Sequence, residues 1–128
     1  MLFGCDRLLT DKSTGQRRML HRLYVPWQTA DDVPALEQDP FLRPADLYAA
    51  LADAGYKLTW TETVTARMPS PDDAATLRIP EGTPMLTTRR LTVDTDGRLL
   101  ALEETRLSAG ETQLAYAFTP TRPVRAAH

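Results

Sequence analysis

The sequence predicts an α+β domain, an antiparallel sheet with helices packed on one face. Three observations predict it. Segments in which apolar and polar side chains alternate come as hairpin pairs, one near each end of the chain. Helical patterns lie between them, opened by proline and in one case closed by glycine. Alternating strand–helix–strand units, the mark of a parallel sheet, do not recur.

Taken in order, Leu2 to Thr10 reads as a strand, "DKSTGQ" as a turn and Arg17 to Val25 as the returning strand. From Pro26 to Pro44 the chain reads as loop, with four prolines and an acidic bias. "RPADLYAALADAG" reads as a helix with Pro44 in the first position and Gly55 as the stop. Its stripe of Leu47, Ala50 and Leu51 keeps helical spacing. "YKLTWTETVTARM" is the clearest strand, with Leu58, Trp60, Val64 and Ala66 on one side, Glu62 among them, and threonines on the other. "SPDDAATL" is a short helix capped by Ser70, with Asp73 completing the capping pattern. "RIPEGTP" turns the chain into a strand from Met85 to Val93. "DTDG" is a hairpin turn in which Gly97 supplies the positive φ. Leu99 to Leu107 returns, "QLAYAF" makes a last strand, and the tail from residue 120 frays.

The 128 residues suit one domain with a modest core, and a net charge of -2 leaves no basic footprint for nucleic acid. The arginine pairs Arg17–Arg18 and Arg89–Arg90 are too short to form a patch. Cys5 is the only cysteine, which excludes an intrachain disulfide and a multi-cysteine zinc site and fits a reducing cytoplasm. No apolar run is long enough for a membrane-spanning helix, and no export signal opens the chain. No phosphate-cradling glycine loop, Ser-His-Asp set or metal-ligand spacing is present, so neither a metal nor a cofactor is expected.

Strand alternation singles out three polar residues on apolar faces. Arg7 shares a side with Phe3, Cys5 and Leu9. His21 shares one with Met19, Leu23 and Val25. Glu103 shares one with Leu99, Ala101, Thr105 and Leu107. A charge placed among apolar neighbours must pair or meet a ligand. Plainer readings stand beside this one: a solvated arginine at a strand edge, a satisfied core histidine, and a glutamate turned to solvent by a bulge. Glu62 reads as half of a structural ion pair. Arg89 and Arg90 point to opposite faces. Cys5 reads as a small core hydrophobe, Trp60 as core, and Trp27 as a cover for a pocket or a partner.

The run "ETVTARMPSPDDAATLRIPEGTPMLTTRRLTVDTDGRLLALEETRL" resembles the UTRA domain, the effector-binding domain of HutC-type GntR transcription regulators. A strand with an acidic residue, a Pro-rich cap, an Ala/Leu helix, a Gly-x-Pro turn, an Arg-rich strand, an Asp-Gly turn and a closing strand follow in the family's order. "RLLTDKSTGQRRMLHRLYVP" looks like the first hairpin of the same domain. The resemblance covers roughly residues 2–118 and implies a chorismate lyase-like fold with an internally duplicated hairpin. The domain is thus placed at 1–119, with 120–128 a flexible tail.

The resemblance implies a small-molecule effector sensor, homodimeric and cytoplasmic, and not an enzyme. It implies no DNA contact by this chain alone, since a winged helix-turn-helix is not found in it. The first strand and helix of a full UTRA domain are not found either, so the chain is expected to be a fragment of a regulator or a shortened sensor. In relatives that bind sugar phosphates, two arginines of the first Arg-rich strand hold the ligand. Arg7 matches one and Cys5 stands at the other. Acidic residues often stand where His21 and Ala101 are found here, and Glu103 lies one alternation further on. The expected ligand site therefore lies between the hairpins, with Arg7, His21 and Glu103 lining it and Cys5, Ala101 and Thr105 beside them. Arg7 would take an anionic or carbonyl group, Glu103 a hydroxyl or amine, and His21 either. Two other readings are an enzyme of the same fold acting on a small organic acid and a ligand-free interaction module.

Overall fold

A computed structural model describes residues 2–10 and 18–120 of the chain. Five strands form one antiparallel sheet: β1 (Leu2–Thr10), β2 (Arg18–Pro26), β3 (Thr59–Arg67), β4 (Met85–Val93) and β5 (Leu99–Ser108). Their order is β1-β2-β5-β4-β3. The hairpins β1–β2 and β4–β5 thus lie side by side and meet along a β2–β5 seam, the placement two like hairpins would take about a two-fold axis. The expected turn at Asp11–Gln16 lies outside the described residues, as does the tail from residue 121.

The register is continuous across the sheet. Cys5, Leu23, Glu103, Arg90 and Glu62 form one row over all five strands. Arg7, His21, Thr105, Thr88 and Val64 form the next, and Leu9, Met19, Leu107, Leu86 and Ala66 the one after. Directly opposed residues of paired strands share a face. Arg7, His21, Glu103, Cys5, Ala101 and Thr105 therefore all project from one face, as the alternation predicts. Leu99 does not follow: a register shift beside Thr92/Val93 leaves it opposite Val93 and buries Leu100 instead. A bulge adds one residue and flips the alternation beyond it.

The stretch expected to be loop after Pro26 contains two short helices, α1 (Trp27–Asp32) and α2 (Pro34–Gln38). Its prolines open helices here, because Pro34 and then Pro44 occupy first helical turns, where a missing N–H costs nothing. Thr29, Ala30, Val33 and Leu36 are buried, so tertiary packing decides the conformation. Helix α3 (Pro44–Asp53) adds Leu47 and Leu51 to the core of Leu23, Val25, Leu36, Leu100 and Ala101. Gly55 closes it at φ +96°, as the sequence requires.

Helix α4 (Pro71–Leu77) begins at Ser70, whose Oγ accepts from the Asp73 N–H at 3.2 Å. It packs Leu77 with Ile79, Met85 and Leu20. Those strand residues belong to the opposite face, so the helices do not all lie on one side: α1–α3 cover one face and α4 part of the other. That second face also carries charge pairs. Arg22 holds Asp6 at 2.6 Å, and Arg106 joins Glu104 at 2.8 Å to Asp73 at 3.2 Å.

Two further expectations are corrected. "QLAYAF" forms no strand; after a 3-10 turn at Ala109–Glu111 the chain runs irregularly to residue 120. Trp60 is not core but 49% exposed, since β3 is an edge strand that the helices barely cover; its ring meets Tyr48 edge-on at 5.4 Å. Among the described residues, no helix is long and apolar enough to cross a membrane.

Candidate functional site

A cavity of about 660 Å³ opens where α1–α3 stop covering the sheet. Its floor is built from the rows already described. Glu103, Arg90 and Glu62 supply a charged row, His21, Thr105 and Thr88 a row of imidazole and hydroxyls, and Met19 with Leu107 an apolar one. Pro44 of α3 lines one side, and the irregular segment from Thr112 to Tyr116 lines another. The segment expected to be a last strand is therefore a wall of the cavity.

The centre of the floor is a buried pair. His21 is 6% exposed and Glu103 7%, and His21 Nε2 lies 3.2 Å from Glu103 Oε1. The second carboxylate oxygen of Glu103 accepts from the Tyr48 hydroxyl, reaching down from α3. Burial pushes the Glu103 carboxyl up, but the hydrogen bonds of His21 and Tyr48 and the charge of Arg90 outweigh it and hold the group below its ordinary range. Burial and the Glu103 bond push the Tyr48 phenol up to about 12, with Arg90 opposing. Arg90 also donates to Glu62 at 3.1 Å, the ion pair expected for that glutamate. Arg89 points to the other face and pairs with Glu104 at 3.0 Å.

The structure brings His21, Glu103 and Thr105 together around this cavity. Arg7, Cys5 and Ala101 share their face but do not line it. The Arg7 guanidinium donates to the Phe41 carbonyl, in the segment that leads into α3. Ala101 is fully buried in the core, and Cys5 is half-buried on the outer strand opposite Leu23. The reason is coverage: alternation gives the face of a side chain, not where helices lie across that face. Trp27 likewise packs on Phe3, with ring centres 5.7 Å apart, away from the cavity.

Thr88 and Tyr48 escaped the sequence reading. Thr88 had a signal, because it stands opposite Thr105 once β4 and β5 are paired. Tyr48 had a weaker one, a hydroxyl directly after Leu47 in the apolar stripe. Among the described residues, no group of three His, Cys, Asp or Glu side chains could hold a metal ion.

Residues 14–111 match the UTRA domain family model. No curated protein matches the chain. Among solved structures, PhnF from Mycobacterium smegmatis is similar at 20% identity and a TM-score of 0.60, over 93% of this chain and 61% of that one. This chain thus spans less than two thirds of that protein's length. The C-terminal domain of the histidine utilization repressor from Pseudomonas syringae pv. tomato is similar at 21% identity and a TM-score of 0.58, over 94% and 95% of the two chains. The effector binding domain of the Bacillus subtilis trehalose repressor is similar at 13% identity and a TM-score of 0.63, over 94% and 82%. At these identities the likeness is one of fold.

Proposed function

This chain belongs to the UTRA domain family, and from that premise we propose that it senses a small-molecule effector for a GntR/HutC-type transcription regulator in the cytoplasm. The effector occupies the cavity over His21, Glu103 and Thr105. One observation carries the reading: the buried His21–Glu103 pair and a row of hydroxyls form the floor of an open cavity of about 660 Å³, a size suited to a metabolite. Residues 1–119 form the sensing unit.

Effector binding favours one arrangement of the walls, and that preference passes to the DNA-reading part of the regulator. This chain alone binds no specific DNA, its net charge of -2 leaving no basic footprint. It acts as a homodimer. Among the described residues no further strand pairs with the outer edges of β1 and β3, where a second copy would pair, and β3 exposes Trp60 and Val64. Light scattering showing a monomer at high micromolar concentration removes the dimer.

The test of the sensor is a thermal-shift screen of sugar phosphates, organic acids and small apolar metabolites. A ligand at 100 times its dissociation constant stabilises the fold by about 2.7 kcal/mol. Thr105→Val on the cavity floor should weaken the same ligand. A ligand that binds wild type and this variant alike places the effector elsewhere.

The buried His21–Glu103 pair also favours one other reading, an enzyme of this fold that uses His21 as a base. Turnover of a candidate organic acid, lost in His21→Gln, would establish it. Binding without turnover supports the sensor.

A further inference from the structure

The central pair of the cavity floor decides what its imidazole presents to a ligand. A neutral imidazole carries a proton on one nitrogen and a lone pair on the other, and the partner of one nitrogen selects the state of both. Glu103 Oε2 accepts from the Tyr48 hydroxyl, and the carboxyl is held below its ordinary range, so the group is an ionised carboxylate that only accepts. His21 Nε2, 3.2 Å from Glu103 Oε1, must therefore be the protonated nitrogen. Nδ1 keeps the lone pair.

The direction of that lone pair follows from the register. The two ring nitrogens of an imidazole face nearly opposite ways. Glu103 lies across the seam on β5, in the row of Leu23. Nδ1 then faces away from it, toward β1 and the row of Leu9 and Met19. His21, Leu9 and Met19 all line the cavity.

The charges on the lining agree with an acceptor there. Glu103, Glu62 and, at the exposed rim, Glu111 contribute carboxylates. The arginines described on this side are engaged elsewhere. Arg90 brings both Nε and Nη2 to one oxygen of Glu62, each at 3.1 Å. Arg7 is bound to the Phe41 carbonyl. Arg18, at the cavity's edge, turns its guanidinium to the Thr76 carbonyl of α4, on the other face of the sheet.

We propose that His21 Nδ1 is the acceptor that selects the effector, and that the effector presents to it the O–H or N–H of an alcohol or amine group and not an anionic head. Leu9, Met19 and Leu107 take the adjoining carbon frame. An ammonium group is further attracted by the carboxylates of the lining, whereas an anionic head meets like charge. The inference rests on the cavity being the effector site and adds the chemical class of its ligand.

The test uses the full chain with isotope-labelled histidine in mildly alkaline buffer. The probes are butanol, butylamine and butyrate, which share one carbon frame. The ring-nitrogen resonances of His21 are assigned by their absence from His21→Phe. Nε2 should carry the proton and Nδ1 the lone pair. Butanol or butylamine should move the Nδ1 resonance saturably, and butyrate should leave it in place. His21→Phe should weaken binding of the responding probe by about three- to tenfold, the loss of one hydrogen bond. A response to butanol alone assigns a hydroxyl, a response to butylamine alone assigns an amine, and a response to both supports the shared donor chemistry. If His21→Phe fails to fold, the wild-type resonances decide, assigned against His128→Gln. The proposal is overturned if Nδ1 carries the proton, if butyrate moves its resonance, if neither of the other probes does, or if His21→Phe binds as wild type does. In that event a compound from the thermal-shift screen whose binding is weakened by Thr105→Val leaves the cavity reading standing, whereas the absence of any binder removes both.

Discussion

His21 Nε2 and Glu103 Oε1 lie 3.2 Å apart along a diagonal of the β2–β5 seam. The register sets Leu23 opposite Glu103 and Thr105 opposite His21, so the bond joins neighbouring rows. It ties the two hairpins together at the floor of the cavity, and Tyr48 joins α3 to the same carboxylate.

Removing that carboxylate should be costly. Glu103→Ala leaves the buried imidazole and the Tyr48 hydroxyl without their acceptor, and it is expected to destabilise the fold by about 3 kcal/mol. Glu103→Gln keeps the shape and one acceptor and should cost less. Urea unfolding of the two variants checks the order.

Stability should fall in acid partly through the same group. Its folded pKa lies below the ordinary value of 4.5, so between the two values the unfolded chain binds more protons. The contribution is present above the unfolded pKa and is lost as pH falls through the folded one. Urea midpoints measured from pH 7 down to pH 3 should decline, and Glu103→Gln should decline less steeply. Equal slopes would mean that the Glu103 carboxyl is not perturbed.

Tyr48→Phe deletes one hydrogen bond to a charged acceptor and should cost about 1.5–3 kcal/mol. In wild type, ultraviolet titration should show a tyrosine ionising near 12, absent from the variant. The ring contact with Trp60 survives in phenylalanine, so tryptophan emission should change little.

Leu36→Ala tests whether α1 and α2 belong to the core. Leu36 is fully buried, and its truncation should destabilise by about 2–5 kcal/mol. A change within 0.5 kcal/mol, the range of a surface site, would return the stretch to a loop.

Much of this architecture could be read from single residues. The two-residue period is local, and it placed Arg7, His21 and Glu103 on one face before any pairing was known. Ser70, Gly55 and Gly97 mark their cap and turns by chemistry alone. What escaped depends on distant parts of the chain. Arg7 is drawn from the cavity by the Phe41 carbonyl 34 positions away. Trp60 is left exposed because β3 ends the sheet. Helices α1 and α2 are short, of six and five residues, and Leu36 and its buried neighbours hold them. Tyr48 reaches Glu103 across 55 positions, a distance no local period reports.

The β2–β5 seam also sets a clock. Strand β2 finds β1 at once, but its other edge waits for β5, some 82 positions later at the His21–Glu103 contact. At about 5–20 residues per second, a ribosome takes about 4–16 s to supply that partner. For that interval the nascent hairpin offers a bare strand edge and the apolar side chains of Leu23 and Val25 to whatever is nearby. Newly made chains are therefore vulnerable to pairing with one another in a way the finished fold is not, because its central strands have no edge left to offer.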